Sequence, residues 1–151
     1  MPGRQVVTIT GDGCMMMSAM ELSTAARECL PVKFFVLDDQ VYHYMQILQK
    51  QAYKRTTATV LARLDYPNLA KGLGLTHVAI DSGDDLEAKV RGVLALPGPV
   101  LITVRVDSGK RPCRWINAVR GRFTKELSTQ QKVRFLGRLG VRSLKVHLED
   151  D

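Results

Sequence analysis

Two short acidic clusters mark the places where this chain could do chemistry. Gly11-Asp12-Gly13 ends a β-branched run, and Asp38-Asp39 ends an apolar one. Carboxylates at strand tips suit a hard, oxygen-seeking cation such as Mg²⁺, which takes few protein ligands and shares the rest with substrate phosphates. Glycines on either side of Asp12 permit a tight turn and let a ligand approach the backbone closely. A helix starting just beyond would aim the N–H groups of Gly13, Cys14 and Met15 at an anion such as phosphate. On its own, the triplet is more often a turn whose aspartate caps the helix.

The elements that must position these clusters follow from patterning. Gln5-Val-Val-Thr-Ile-Thr10 is a β-branched strand stopped by the glycines. Ala19, Leu22, Ala25, Ala26 and Cys29 recur at helical spacing, which predicts a helix over 18–29 closed by Pro31. Val32 to Leu37 reads as a strand buried on both faces, as in parallel sheets. Val41 to Tyr53 allows a helix, and 54–60 is polar and turn-like. Asp65 to Leu73 predicts a short helix with Pro67 in its first turn and Gly72 and Gly74 at its end. A strand over Thr76–Ile80, a helix over Asp85–Leu96 and a strand over Val100–Val106 complete the body. Strands alternating with helices imply a parallel sheet with right-handed crossovers. Ligands in such sheets bind at the carboxyl ends of the strands, where both acidic clusters fall.

Residues 11–40, GDGCMMMSAMELSTAARECLPVKFFVLDDQ, closely resemble the cofactor-binding motif of thiamine-diphosphate-dependent enzymes. The likeness is greatest to the acetolactate synthase and 2-oxoacid decarboxylase branch. That motif opens with GDG, carries an EL-x-TA helix and an LPV turn, and ends in paired asparagines after a hydrophobic strand. Here GDG, Glu21-Leu22, Thr24-Ala25 and Leu30-Pro31-Val32 match in register, and YPNLAKGLGL (66–75) and GPVLITVRVD (98–107) resemble the end of that domain. The resemblance covers roughly residues 4–107.

It implies an α/β fold: a parallel β-sheet sandwiched by helices, the thiamine-diphosphate-binding fold without its first βα structure. That domain would take residues 1–109, with a basic C-terminal helical extension over 110–151. Residue by residue, the resemblance implies that Asp12 and Asp39 bind Mg²⁺ through their carboxylates and Val41 through its carbonyl. The cofactor-binding set becomes Gly11, Asp12, Gly13, Cys14, Met15, Asp39 and Val41, with the N–H groups of Gly13, Cys14 and Met15 on the diphosphate. Cys14 is then a bystander side chain, since nothing basic in the motif is placed to activate it.

Two departures from the family pattern matter. The paired asparagines are Asp38-Asp39, which can ligate a metal but cannot donate as an amide does. Each adds negative charge beside a diphosphate, where a unit repulsion at ~4 Å and an effective dielectric of ~20 is about 4 kcal/mol before screening. The pair therefore reads either as a working variant or as a degenerate site. Second, the glutamate that activates the cofactor's aminopyrimidine ring lies on another domain of the family, so no catalytic residue is assigned here. Glu21 sits in the helix after the phosphate turn, with a structural role. The chain reads as a fragment, or as a subunit of a split enzyme, and needs a partner carrying that glutamate in a homo- or hetero-oligomer.

Composition is consistent with this reading. The 151 residues suit one domain, with 45% hydrophobic and 25% charged residues. No stretch approaches the ~20 apolar residues of a membrane span. Three scattered cysteines, Cys14, Cys29 and Cys113, make no disulfide framework or CxxC site and point to a reducing cytosol. Residues 1–109 hold 11 Lys/Arg and 11 Asp/Glu, whereas 110–151 hold 11 against 4, which accounts for the whole net charge of +7. The tail matches no family pattern beyond this point. Its arginines around Trp115 would allow nucleic-acid contact, but a capped helix over 127–139, with Val133, Leu136 and Leu139 inward, favours a packing or subunit-contact extension. The alternative function is accordingly a non-catalytic module using its basic tail for protein or nucleic-acid contact. Met15, Met16, Met17 and Met20 are expected in the core. His43 reads as a surface or packed residue before a substrate-facing one, and His77 as structural or exposed.

Overall fold

The computed structural model describes residues 4–108 together with 128–131, 133, 134 and 137. Its elements run β1 (Val6–Gly11), α1 (Asp12–Ser18), a 3₁₀ turn (Ala19–Glu21), α2 (Leu22–Arg27), β2 (Val32–Asp38), α3 (His43–Tyr53), α4 (Tyr66–Gly72), β3 (Thr76–Ile80), α5 (Leu86–Ala95) and β4 (Val100–Arg105). All strand pairs are parallel, in the order β1-β2-β4-β3. Thus β4, the last of the described strands, inserts beside β2 and leaves β1 and β3 at the edges. The β1–β2 register pairs Gly11 with Leu37, so Asp12 and the Asp38–Gln40 segment leave the sheet at the same end.

Helices cover both faces. Met15, Ala19 and Leu22 from the α1–α2 segment and Tyr66 and Ala70 from α4 pack on Val36 and Leu101. On the other face Val93 of α5 packs on Phe35, Ile80, Val100 and Ile102. The alternation of Phe35 with Val36, and of Leu101 with Ile102, follows from the period of two along a strand. The expected parallel sheet between helices is therefore present. Edge strand β1 is the exception to dense packing, with Ile9 71% exposed.

The first helix differs from its sequence prediction. It starts at Asp12 and is broken by the 3₁₀ turn, where the periodicity places one helix from Ser18. The reason lies in the Ser18 hydroxyl, which donates back to the Cys14 carbonyl (3.1 Å) inside α1 instead of capping a helix start. The methionine run also divides. Met15 is core, but Met16, Met17 and Met20 are exposed, so the expected packing role holds for Met15 alone.

Helix ends follow local chemistry. Cys29 takes a left-handed φ of 49°, and the Cys29→Ala26 (3.1 Å) and Leu30→Ala25 (2.9 Å) bonds close α2 in a Schellman motif one residue before the expected proline region. Gly74, at φ 79°, does the same for α4 through Gly74→Lys71 (3.2 Å) and Leu75→Ala70 (2.8 Å). Asp65 caps α4 by accepting from Asn68 N–H, and Asp85 caps α5 by accepting from Ala88 N–H.

Lys33, the second residue of the otherwise mostly apolar β2, is 1% exposed. Its Nζ donates to the carbonyls of Leu96 and Gly98, both at 2.7 Å, just past the C-terminus of α5. A cation there answers orphan carbonyls and the negative helix end together. Burial lowers the Lys33 pKa from its ordinary value.

The chain divides into two compact units, residues 1–42 with 60–108, and residues 43–59 with 109–151. In the second, Thr57 N–H donates to Gln49 Oε1 (2.8 Å) and Gln46 Nε2 to Thr59 Oγ1 (3.3 Å). Ser128 and Gln131 exchange side-chain-to-backbone bonds of 2.9 and 3.3 Å, a capping box where the sequence predicts a capped helix, but Val133, expected inward, is exposed. The remainder of the 110–151 extension, including Cys113 and Trp115, lies outside the described residues. Among the described residues no helix is long and apolar enough to cross a membrane.

Candidate functional site

Asp12 is the first residue of α1, directly past β1, and only 6% exposed. Both of its carboxylate oxygens accept from backbone. Gly13 N–H donates to Oδ1 at 2.7 Å and Gln40 N–H to Oδ2 at 2.6 Å. An ionised carboxylate has about four lone-pair sites, so each oxygen keeps capacity for a cation after these two bonds.

The second strand tip is shaped to meet it. Gln40 follows β2 with a left-handed φ of 60°, which turns the chain back on itself. Its carbonyl accepts from Leu61 N–H at 2.8 Å, and Val41 forms an isolated antiparallel bridge with Val60. Asp39 Oδ1 accepts from Val41 N–H at 3.3 Å, an Asx-type turn. The Asp38 carbonyl accepts from Val106 N–H at 3.1 Å, fixing the tip of β2 to the end of β4.

Electrostatics at this end are crowded. Burial pushes the Asp38 carboxyl above the ordinary carboxylate range. A hydrogen bond with the Gln40 side chain opposes that shift, the carboxylates of Asp12 and Asp39 reinforce it, and the Arg105 guanidinium opposes it. Tyr66, buried at the start of α4, has its phenol pushed well above the usual range by burial, with Asp38 and Asp12 adding to the effect.

The glycines of the triplet differ in role. Gly11 is extended (φ −82°, ψ 160°) and open space surrounds the position of a β-carbon, so the expected tight turn is instead a direct strand-to-helix passage. Gly13 is the constrained one, because the Tyr42 ring occupies the place of its β-carbon. The remaining expected site residues fall as follows: Cys14 is exposed and free, Met15 is buried in the core, and Asp39 and Val41 are half-buried beside Gln40. His43 opens α3 and is half-buried.

Among the described residues no group of three or more His, Cys, Asp or Glu side chains is arranged to hold a metal. The donors that the resemblance implies, the Asp12 and Asp39 carboxylates and the Val41 carbonyl, are all hard oxygens. That set fits Mg²⁺, which favours one or two carboxylates plus substrate phosphates over a full protein cage.

Sequence reasoning missed Gln40, Tyr42 and Tyr66. It also missed a cleft of about 470 Å³ at the carboxyl ends of β2, β3 and β4, lined by Asp38, Arg63, Tyr66, His77, Thr103 and Arg105 among others. There His77 Nε2 lies 3.0 Å from Thr103 Oγ1, and burial lowers the imidazole pKa while Asp65 opposes the shift. For Gln40 and Tyr42, placement just beyond the end of β2 was the available signal.

A family model described as thiamine pyrophosphate enzyme, C-terminal TPP binding domain, matches residues 1–104. The chain belongs to this family. It is similar to the acetolactate synthase of Bacillus subtilis (strain 168), 33% identical over 135 residues, which cover 89% of this chain and 23% of that protein. Against the acetolactate synthase isozyme 2 large subunit of Escherichia coli (strain K12) it is 36% identical over 110 residues, 70% of this chain and 20% of that one. Among solved structures, the thiamine diphosphate-dependent 4-hydroxybenzoylformate decarboxylase of Rhodococcus jostii RHA1 superposes with a TM-score of 0.66 at 27% identity, covering 73% of this chain and 21% of that one. The chain thus spans about a fifth of the length of these relatives. An alignment over 89% of the chain cannot fit within residues 1–109, so the tail is not wholly foreign to the family, contrary to the sequence-based expectation.

Proposed function

We propose that this chain is the thiamine diphosphate- and Mg²⁺-binding part of an acetolactate-synthase-like enzyme acting on 2-oxoacids by carboligation or decarboxylation. The observation that carries the reading is the buried Asp12 carboxylate, joined through Gln40 to the Asp39–Val41 segment at the tips of adjacent parallel strands. When bound, the cofactor supplies an electron sink for making or breaking the bond beside the 2-oxoacid carbonyl.

The chain's own share is anchorage. Asp12 and Asp39 hold the metal through carboxylates and Val41 through its carbonyl. Gly11, Gly13, Cys14 and Met15 present backbone to the diphosphate at the start of α1. Residues 1–109 form the cofactor domain, and 110–151 an extension for packing or subunit contact. The activating glutamate comes from a partner chain or domain in a homo- or hetero-oligomer, in the cytosol.

One observation favours a second reading, a degenerate module. Gly13 N–H already serves the Asp12 carboxylate, and Asp38 and Asp39 crowd the same end with negative charge. Isothermal calorimetry of the 151-residue chain with thiamine diphosphate, with and without Mg²⁺, separates the two. Metal-dependent binding that disappears in Asp12→Ala supports the cofactor reading. In Asp39→Asn, metal-free cofactor binding should then strengthen and metal affinity weaken, because one repulsive charge is removed. No binding at millimolar cofactor, with salt-dependent nucleic-acid binding lost on deletion of 110–151, supports the module.

A further inference from the structure

We infer that Gln40 is a positioning residue, whose backbone N–H, anchored by a left-handed turn, fixes the orientation of the Asp12 carboxylate for its cation. The inference rests on the proposed Mg²⁺-dependent cofactor site.

Gln40 is one of four non-glycine residues with positive φ among those described, and the only one of them bonded to a proposed ligand. A glutamine at φ 60° carries a backbone cost that persists only where surrounding bonds enforce it, and such residues cluster at functional sites. Here two hydrogen bonds enforce it. The N–H donates to Asp12 Oδ2 (2.6 Å), and the carbonyl accepts from Leu61 N–H (2.8 Å). The first of these joins residues 28 positions apart.

The geometry shows what the left-handed turn does. The Gln40 N–H meets Asp12 Oδ2, while Gly13 N–H holds Oδ1. The positive φ at Gln40 then turns the chain beyond that N–H, so that its carbonyl accepts from Leu61 N–H and Val41 bridges Val60. The peptide bonded to Asp12 is thereby held from its far side, and a residue that does not keep φ 60° must shift it. With both oxygens tied, the carboxylate plane is fixed before any cation arrives. Backbone, rather than the glutamine side chain, is what acts on Asp12.

The test compares Gln40→Gly, Gln40→Asn and Gln40→Val in the full chain. Glycine adopts φ 60° freely and asparagine tolerates it, whereas a β-branched residue does not. Calorimetry should therefore find Mg²⁺-dependent thiamine diphosphate affinity within about threefold of the parent for glycine and asparagine, and lowered roughly tenfold or more for valine. A second readout needs no cofactor. In ¹H–¹⁵N spectra the residue 40 amide proton should be shifted strongly downfield by its short carboxylate bond, should stay so in Gln40→Gly, and should lose the shift in Gln40→Val and Asp12→Ala.

A valine chain that binds as tightly as the parent, or a residue 40 amide without the shift, overturns the inference. Should the valine chain not fold, the glycine chain decides alone: a loss as deep as that of Asp12→Ala means that the side chain, not the backbone, does the work, and the inference fails. Absence of Mg²⁺-dependent binding in the parent chain sinks the cofactor reading and the positioning role with it, and is told apart from failure of the inference alone by the parent's own titration.

Discussion

The ring of Tyr42 lies against the α-carbon of Gly13: a β-carbon added there would stand 2.9 Å from Cδ1 and closer still to Cε1. This contact, more than any turn, explains the second glycine of the triplet. An alanine in α1 would gain up to ~1 kcal/mol of helix propensity over glycine. The ring must move to admit it, and at 38% exposure Tyr42 has room to do so. Gly13→Ala is therefore expected to shift the thermal midpoint by less than about 5 °C, since gain and loss nearly offset. The Tyr42 ring resonances should change clearly. A large loss of stability with an unmoved ring would contradict this account.

Asp12→Asn tests the same end of the sheet without any ligand. Both carboxylate oxygens accept N–H bonds, so an amide must turn its own NH₂ toward one donor. A buried donor left facing a donor costs about 1–3 kcal/mol. Chemical denaturation should show a loss of that size, with an unchanged dependence on denaturant. Stability equal to the parent would mean that the two bonds contribute nothing net.

Lys33→Met keeps an apolar stem in β2 and removes the donor to Leu96 and Gly98. Bonds from a charged donor contribute about 1.5–3 kcal/mol each, and relief of the ammonium's own burial offsets part of that. A net loss of about 1–3 kcal/mol is expected by urea unfolding. The amides of 96–98 should lose protection in hydrogen exchange before those of β2, because the carbonyls freed lie at the end of α5. A methionine variant more stable than the parent would show that burying the charge outweighs its bonds.

His77 gives the chain a pH dependence. Burial lowers its folded pKa below the ordinary value, so between the two values the unfolded chain binds more protons. Stability should then be full above the unfolded pKa of about 6.5 and fall as the solution is acidified toward and below the folded value. His77→Gln, which can still bond with Thr103, should flatten that slope between about pH 7 and pH 5. Thermal melts across this range measure it, and an unchanged slope in the variant would assign the dependence elsewhere.

Much of this molecule is written in local chemistry. Asp65 and Asp85 cap the helices that the sequence starts at those two residues, Gly74 ends α4, and the alternation of Phe35 and Val36 divides between two core faces. GDG, Glu21-Leu22, Thr24-Ala25 and Leu30-Pro31-Val32, matching in register, pointed to the family that the chain belongs to. These signals are legible because they depend on a few neighbouring residues and on fixed helical or strand periods. The helix start just past Gly11 was legible from the glycine triplet, whereas the 3₁₀ break over Ala19–Glu21 leaves no mark in periodicity.

Tertiary structure alone decided the rest. It set β4 between β2 and β3, brought Gln40 onto Asp12 across 28 positions, and turned Lys33 to carbonyls 63 and 65 positions away. A lysine in an apolar run and a glutamine after two aspartates carry no local sign of such partners. Their roles come from strand register and crossover, which fix where distant backbone groups fall, and those follow from packing the whole sheet.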